Sequence, residues 1–212
     1  SRSYEWVVDS DNFSKENRPH GNLTIYFSAE EMADIRKTNP FFAQRSEHSH
    51  KEYILEMFHF MKNHPSFLVR TKYIRNYIQS TAKTHFIQNE LDIIQFTLDF
   101  VQEPNIKFCL NQDSKSINQF QDYIRFPDET LYDKEGDCNS KSLLAVMLLY
   151  LMGHNMLYMY SRTQQHSAIG IELTDKLAEH CVNADQLKIV EYNRKKYIFC
   201  ETTGDEIRIG QI

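Results

Sequence analysis

Cys138 ends the stretch Gly136-Asp137-Cys138 and stands just before Leu143 to Met152, a run that is apolar nearly all round. A thiol in the first turn of such a helix meets unpaired backbone N–H groups and the positive end of the helix dipole, which favour a thiolate. That is a nucleophile's setting, and the same N–H groups could steady an oxyanion. His166 opens His166-Ser-Ala-Ile-Gly-Ile171, where small Ser167 and Ala168 leave room around a ring at a strand end. Glu201 follows Tyr197-Ile-Phe-Cys200 and precedes Thr202, Thr203 and Gly204, so it too falls at a strand end. A carboxylate there could accept the Nδ1 hydrogen of His166, fix the tautomer and stabilise the imidazolium. Singly, each residue has an ordinary reading as packing or surface. Cys at a helix start, His at a strand start and an acid on a later strand together point to a Cys-His-Glu centre.

The remaining cysteines, Cys109, Cys181 and Cys200, read as small hydrophobes packed in a core. Four cysteines at irregular spacing do not make a disulfide framework for 212 residues. No Cys-x-x-Cys pair is present, so a structural zinc site has little support, and a metal centre on Cys138, His166 and other histidines is a minor reading. No cofactor is called for by any motif.

The elements that must position these residues change character near residue 105. Before it the chain reads as mainly helical (residues 1–104), and after it as one buried helix followed by short strands (105–212). Residues 1 to 27 read as irregular, with a short strand at Leu23 to Phe27. Ser28 and Glu31 form a capping-box signature that opens a helix to about Lys37. Apolar spacing at Tyr53, Ile54, Met57, Phe58 and Met61 predicts a helix over 49–63, stopped by Pro65. Further helices are predicted over 68–79 and 88–102, the last with a stripe of Leu91, Ile94, Leu98 and Val101. Ile106 to Phe108 reads as a short strand, and Asn111 to Asp137 as a long polar stretch of the kind that often carries function. The buried helix runs from Cys138 to Met152 and is closed by Gly153. Strands follow at 156–161, 167–173, 187–192 and 197–201, with Asn193 and Arg194 in the turn between the last two.

A net charge of −5 without a basic stripe argues against a nucleic-acid partner. The longest apolar run is far short of a membrane span, so membrane insertion is not expected. The chain starts at Ser1 without a leader-like apolar segment, as a cytoplasmic protein or an exported one after leader removal both would.

Phe126-Pro-Asp-Glu-Thr-Leu131, Gly136-Asp-Cys138 with Ser142-Leu-Leu, His166-Ser-Ala-Ile-Gly-Ile171 and Tyr197-Ile-Phe-Cys-Glu-Thr-Thr203 together resemble the transglutaminase-like superfamily, in its bacterial type. The resemblance covers about the last hundred residues. It implies an α+β, papain-like core in which a central helix bearing the Cys packs on an antiparallel sheet, with His and acid on adjacent strands. It also implies that Cys138, His166 and Glu201 hold those three roles. Asn139 stands where relatives often have an acidic residue, Glu201 where Asp is also frequent, and no aromatic follows His166. The family places an oxyanion-stabilising side chain at the end of an upstream helix, a place that Gln102 fits, its amide donating together with the Cys138 N–H. The expected chemistry is thiol-dependent acyl transfer on an amide or peptide bond through a thioester, with hydrolysis, as in a cysteine peptidase or amidase, preferred. The expected partner is a peptide or protein substrate. The alternatives are a protein-glutamine transglutaminase, with an amine as acceptor, and a catalytically silent module that binds partners through the helical first hundred residues.

Overall fold

A computed structural model describes residues 1–7, 18, 20–38, 50–64, 66–85, 87–102, 105–109, 124–181, 186–204 and 207–211. The chain is mixed α/β with a mainly helical first half. A β-hairpin, β1 (Arg2–Val7) with β2 (His20–Ile25), precedes the helices α1 (Ala29–Thr38), α2 (His50–Asn63), α3 (Ser66–Thr84) and α4 (Glu90–Val101). Ser28 opens α1 as its sequence predicts, its Oγ accepting the Glu31 N–H at 3.4 Å. Strand β1 is a departure from the irregular start predicted. Its stability comes from pairing with β2 and from Tyr4, which is buried and donates its hydroxyl to the Leu131 carbonyl.

The second half holds β3 (Lys107–Phe108), α5 (Pro127–Asp133), β4 (Glu135–Gly136), α6 (Cys138–Leu151), β5 (Met156–Ser161), β6 (His166–Glu172), α7 (Asp175–Ala178), β7 (Ile189–Tyr192) and β8 (Lys195–Cys200). Helix α5 falls inside the stretch expected to be polar loop, most of whose remainder, residues 110–123, lies outside the described residues. Its signal is local: Pro127 sits in the first turn with Asp128 and Glu129, and the Glu129 carboxylate reaches back to the Phe126 N–H at 2.8 Å. Strands β5, β6, β8 and β7, in that order, form one antiparallel sheet. Asn193 and Arg194 turn β7 into β8 with φ of 50° and 64°, the left-handed pair that a two-residue hairpin needs.

Helix α6 is buried from Cys138 to Leu149 because it lies between two clusters. Leu144, Ala145 and Leu148 join Ile94, Phe100, Ile169 and Ile198. Leu143 and Met147, offset on the helix, join Met57, Met61, Leu68 and Phe126. An all-round apolar helix is what two-sided burial requires. No helix among the described residues is long and apolar enough to cross a membrane.

Strand β4 places the start of α6. It pairs in parallel with β3, Phe108 beside Gly136, and the Cys109 N–H donates to the Gly136 carbonyl at 3.2 Å. A Cβ on Gly136 would come within 3.1 Å of Ser140 Cβ and 3.2 Å of Thr130 Cγ2, so any larger residue there must push α5 or α6 aside by a few tenths of an ångström.

Candidate active site

Cys138 is the first residue of α6, behind the N-cap Asp137, whose Oδ1 accepts the Ser140 N–H at 2.8 Å. Its side chain is 7% exposed. The sulfur lies 4.0 Å from the Gln165 carbonyl oxygen and faces the Ser167 N–H, so it is bracketed by the peptide groups on either side of His166. Gln165 makes this possible by taking a left-handed conformation, φ 48°, that turns the chain from β5 into β6. The Asn139 N–H, in the first turn of α6, also points at the sulfur.

His166 opens β6 opposite Ser161 and is one-third exposed at its side chain. Its Nε2 lies 2.8 Å from Glu201 Oε2. The expected contact was through Nδ1. Ile169 pairs with Cys200, so continuing the alignment sets Glu201 opposite Ala168, diagonal to His166 and within reach of its ring. Nδ1 is left on the other side of the ring.

Glu201 is held by its own loop. Its Oε1 accepts from the Thr202 N–H at 2.8 Å, the Thr203 N–H at 2.9 Å and the Thr203 hydroxyl at 2.7 Å. Burial works to raise its proton affinity, yet the hydrogen bonds from Thr203 and His166 win, and the carboxyl sits below its ordinary range. Ser142 on α6 meets Thr202 at 3.0 Å, which pins that loop to the helix carrying Cys138.

Gln102 caps the C-terminus of α4 and is buried. Its amide nitrogen donates to the Glu201 and Ile207 carbonyls, both at 2.9 Å. Both of its N–H hydrogens are directed at these carbonyls, and Gln102 anchors the backbone that presents Glu201.

The expectation of a depressed thiol also changes. Burial is the largest influence and pushes the Cys138 thiol up, the N–H groups of Ser167 and Asn139 pull it down, and the carboxylates of Asp137 and Glu201 push it up again. The net direction is upward. Asp137, the helix's own cap, works against the thiolate that a helix start favours.

Sequence reasoning missed the side chains of Asn139, Ser167 and Tyr158, which meet behind the sulfur. Only Ser167 and Asn139 had a sequence signal, their places next to His166 and Cys138. A groove of about 650 Å³, within the range of ligand sites, follows β5 past Leu157, Met159, Tyr160 and Arg162, and Cys138, His166 and Glu201 are not among the residues that line it. Tyr160 and Arg162 flank Ser161, the strand partner of His166. Among the described residues no group of three His, Cys, Asp or Glu side chains is gathered as a metal ion requires. Comparison with protein-family models, curated proteins and solved structures finds no match.

Proposed function

We propose that this chain is a thiol-dependent acyl-transfer enzyme of the transglutaminase-like, papain-fold kind, acting on an amide or peptide bond through Cys138, His166 and Glu201. The observation that carries the reading is the His166–Glu201 pair at 2.8 Å beside a thiol bracketed by the peptide groups flanking that histidine. A histidine oriented by a carboxylate through one nitrogen has the other to offer as a base.

In this reaction His166 Nδ1 takes the proton of the neutral Cys138 thiol as the sulfur bonds to the amide carbonyl carbon. The C–N bond of the tetrahedral intermediate then breaks, His166 returns the proton to the leaving amine, and a thioester remains. Water, deprotonated by His166, adds to the thioester, and the C–S bond breaks to give a carboxylic acid and the thiol. Glu201 stays ionised and stabilises the imidazolium in both halves. A thiol pushed up by burial suits a mechanism in which proton transfer and attack are coupled, not one with a resting thiolate. The groove along β5, lined by apolar and aromatic side chains together with Lys51, Arg162 and Glu191, suits a peptide as acyl donor.

Alkylation of the folded protein with iodoacetamide at neutral pH, mapped by mass spectrometry, tests the reading. Cys138 is expected to react at least about tenfold faster than Cys109, Cys181 and Cys200, and the advantage is expected to vanish in His166→Ala, since a positioned base contributes about a hundredfold or more. A Cys138 as inert as the other thiols sinks the catalytic reading and leaves a binding module. Offering a fluorescent primary amine with glutamine-containing peptides then separates transfer, seen as label incorporation, from hydrolysis, seen as acid product alone.

A further inference from the structure

The Cys138 sulfur receives N–H groups from two elements that share no backbone ladder, Asn139 on α6 and Ser167 on β6. Each is available for a local reason. The Asn139 N–H belongs to the first turn of a helix, where no carbonyl precedes it to accept. The Ser167 N–H is freed by the end of a ladder. Leu173 donates to the Lys196 carbonyl at 2.8 Å, which sets the alternation in which Ile171 and Ile169 turn their peptide groups to β8. Ser167 is next in phase, but the pairing stops at Ile169 and Cys200, and its N–H meets the sulfur instead.

What joins the two donors is a triangle of side chains from the same two residues and a third. The Ser167 hydroxyl bonds Asn139 Oδ1, and the Tyr158 hydroxyl lies 2.9 Å from both oxygens. Asn139 Nδ2 donates to Asp137 Oδ2 at 3.3 Å, so the triangle is also tied to the helix cap. Asn139 Oδ1 only accepts, so the Ser167 and Tyr158 hydrogens are both spent inside the triangle. Ser167 and Asn139 are buried, so removing either the Ser167 or the Tyr158 hydroxyl takes a donor from the buried Asn139 Oδ1. The polar choice links helix to strand where backbone bonding cannot.

We propose that Tyr158, Asn139 and Ser167 are positioning residues that lock the Asn139 and Ser167 N–H groups onto the Cys138 sulfur and so set how readily it carries negative charge. The inference rests on the reading of Cys138 as nucleophile. N–H donors stabilise the thiolate over the thiol, so a triangle that loosens leaves the thiolate less favoured and the attack slower. The titratable groups acting on the sulfur are Asp137 on the helix cap, Glu201 from the sheet and Tyr158 from β5, and His166 is held against Glu201. Tyr158 stays neutral across the working range, since burial pushes its phenol well above its ordinary value.

The test is the pH profile of Cys138 alkylation by iodoacetamide in the folded, full-length chain, for the unaltered protein and for Tyr158→Phe, Ser167→Ala and Ser167→Thr. Tyr158→Phe and Ser167→Ala are expected to move the midpoint upward and slow alkylation at pH 7 by about five- to tenfold, the worth of one hydrogen bond. The rate at the alkaline plateau stays the same, and Ser167→Thr, which keeps a hydroxyl, stays near the unaltered profile. A purely structural role would lower the melting temperature without moving the midpoint. A reactive Cys138 whose midpoint is unchanged in Tyr158→Phe and Ser167→Ala overturns this inference alone. An inert Cys138 in the unaltered protein overturns the proposed function and this inference with it. Should Tyr158→Phe not fold, the contrast between Ser167→Ala and Ser167→Thr decides.

Discussion

Glu201 shows how one carboxylate can serve a histidine and a loop at once. Its Oε2 faces His166 while its Oε1 gathers the N–H groups of Thr202 and Thr203 and the Thr203 hydroxyl. These bonds hold its folded proton affinity below the ordinary glutamate value of 4.5. A group with a depressed folded pKa contributes stability that is fully present above the unfolded pKa and is lost as pH falls through the folded one. Glu201→Gln is therefore expected to cost about 1–2 kcal/mol near pH 7, on the scale of hydrogen bonds to a charged group. The gap between variant and unaltered protein should close as pH falls below 4.5, as measured by urea unfolding. A gap that stays constant with pH would mean that Glu201 is not held ionised by these partners. The same substitution puts an amide against His166 Nε2, so alkylation of Cys138 should slow as well.

At the scale of elements, Arg70 ties three helices together. From α3 its guanidinium bonds Asp128 on α5 at 2.9 Å and Glu31 on α1. Asp128 is buried, and even with the arginine present burial lifts its carboxyl from 3.8 to about 6. For an acid with a raised folded pKa the sign reverses, and stability is lost as pH climbs through that range. Arg70→Ala leaves Asp128 buried without its cation, so the variant should lose about 3 kcal/mol near neutral pH. The loss should grow as pH climbs above about 6, because the unfolded chain keeps Asp128 ionised while the folded variant must protonate it. Chemical denaturation at several pH values checks both size and slope, and a pH-independent loss would show that contacts other than the charge pair dominate. Because α5 leads through β4 into Cys138, this ion pair also bears on where α6 begins.

Over the whole molecule, the two halves read from the sequence share one interior. Ile74, Ile78, Ile94, Phe96, Leu98 and Phe100 of the helical half belong to the same cluster as Leu144, Leu148, Ile169 and Ile198 of the half that carries the site. Fully burying a side chain of this size is worth about 1.5–3 kcal/mol. Losing several at once matches the entire stability of an ordinary domain, about 5–15 kcal/mol. A fragment of residues 105–212 is accordingly expected to show no cooperative thermal transition by circular dichroism or calorimetry. A fragment that melts sharply would mean that the helical half is an attachment and not part of the core.

The sequence by itself determined the helix beginning at Cys138, the strands around His166 and before Glu201, and the turn at Asn193 and Arg194. Each depends on local signals: a cap before an apolar run, alternation, and residues that tolerate positive φ. Helix α5 was not read from the sequence, although Pro127 and the acids after it are a local start signal within the polar stretch. Tertiary structure alone decided which nitrogen of His166 meets Glu201, because that depends on how the ring is turned once β6 and β8 bring the two side chains together. It also spent the Gln102 amide on carbonyls, since the path of the chain after Glu201 brings them to it. And it set the direction of the Cys138 thiol. A helix start promises a depressed thiol from sequence, but burial and two neighbouring carboxylates are properties of assembled elements, and they push it up.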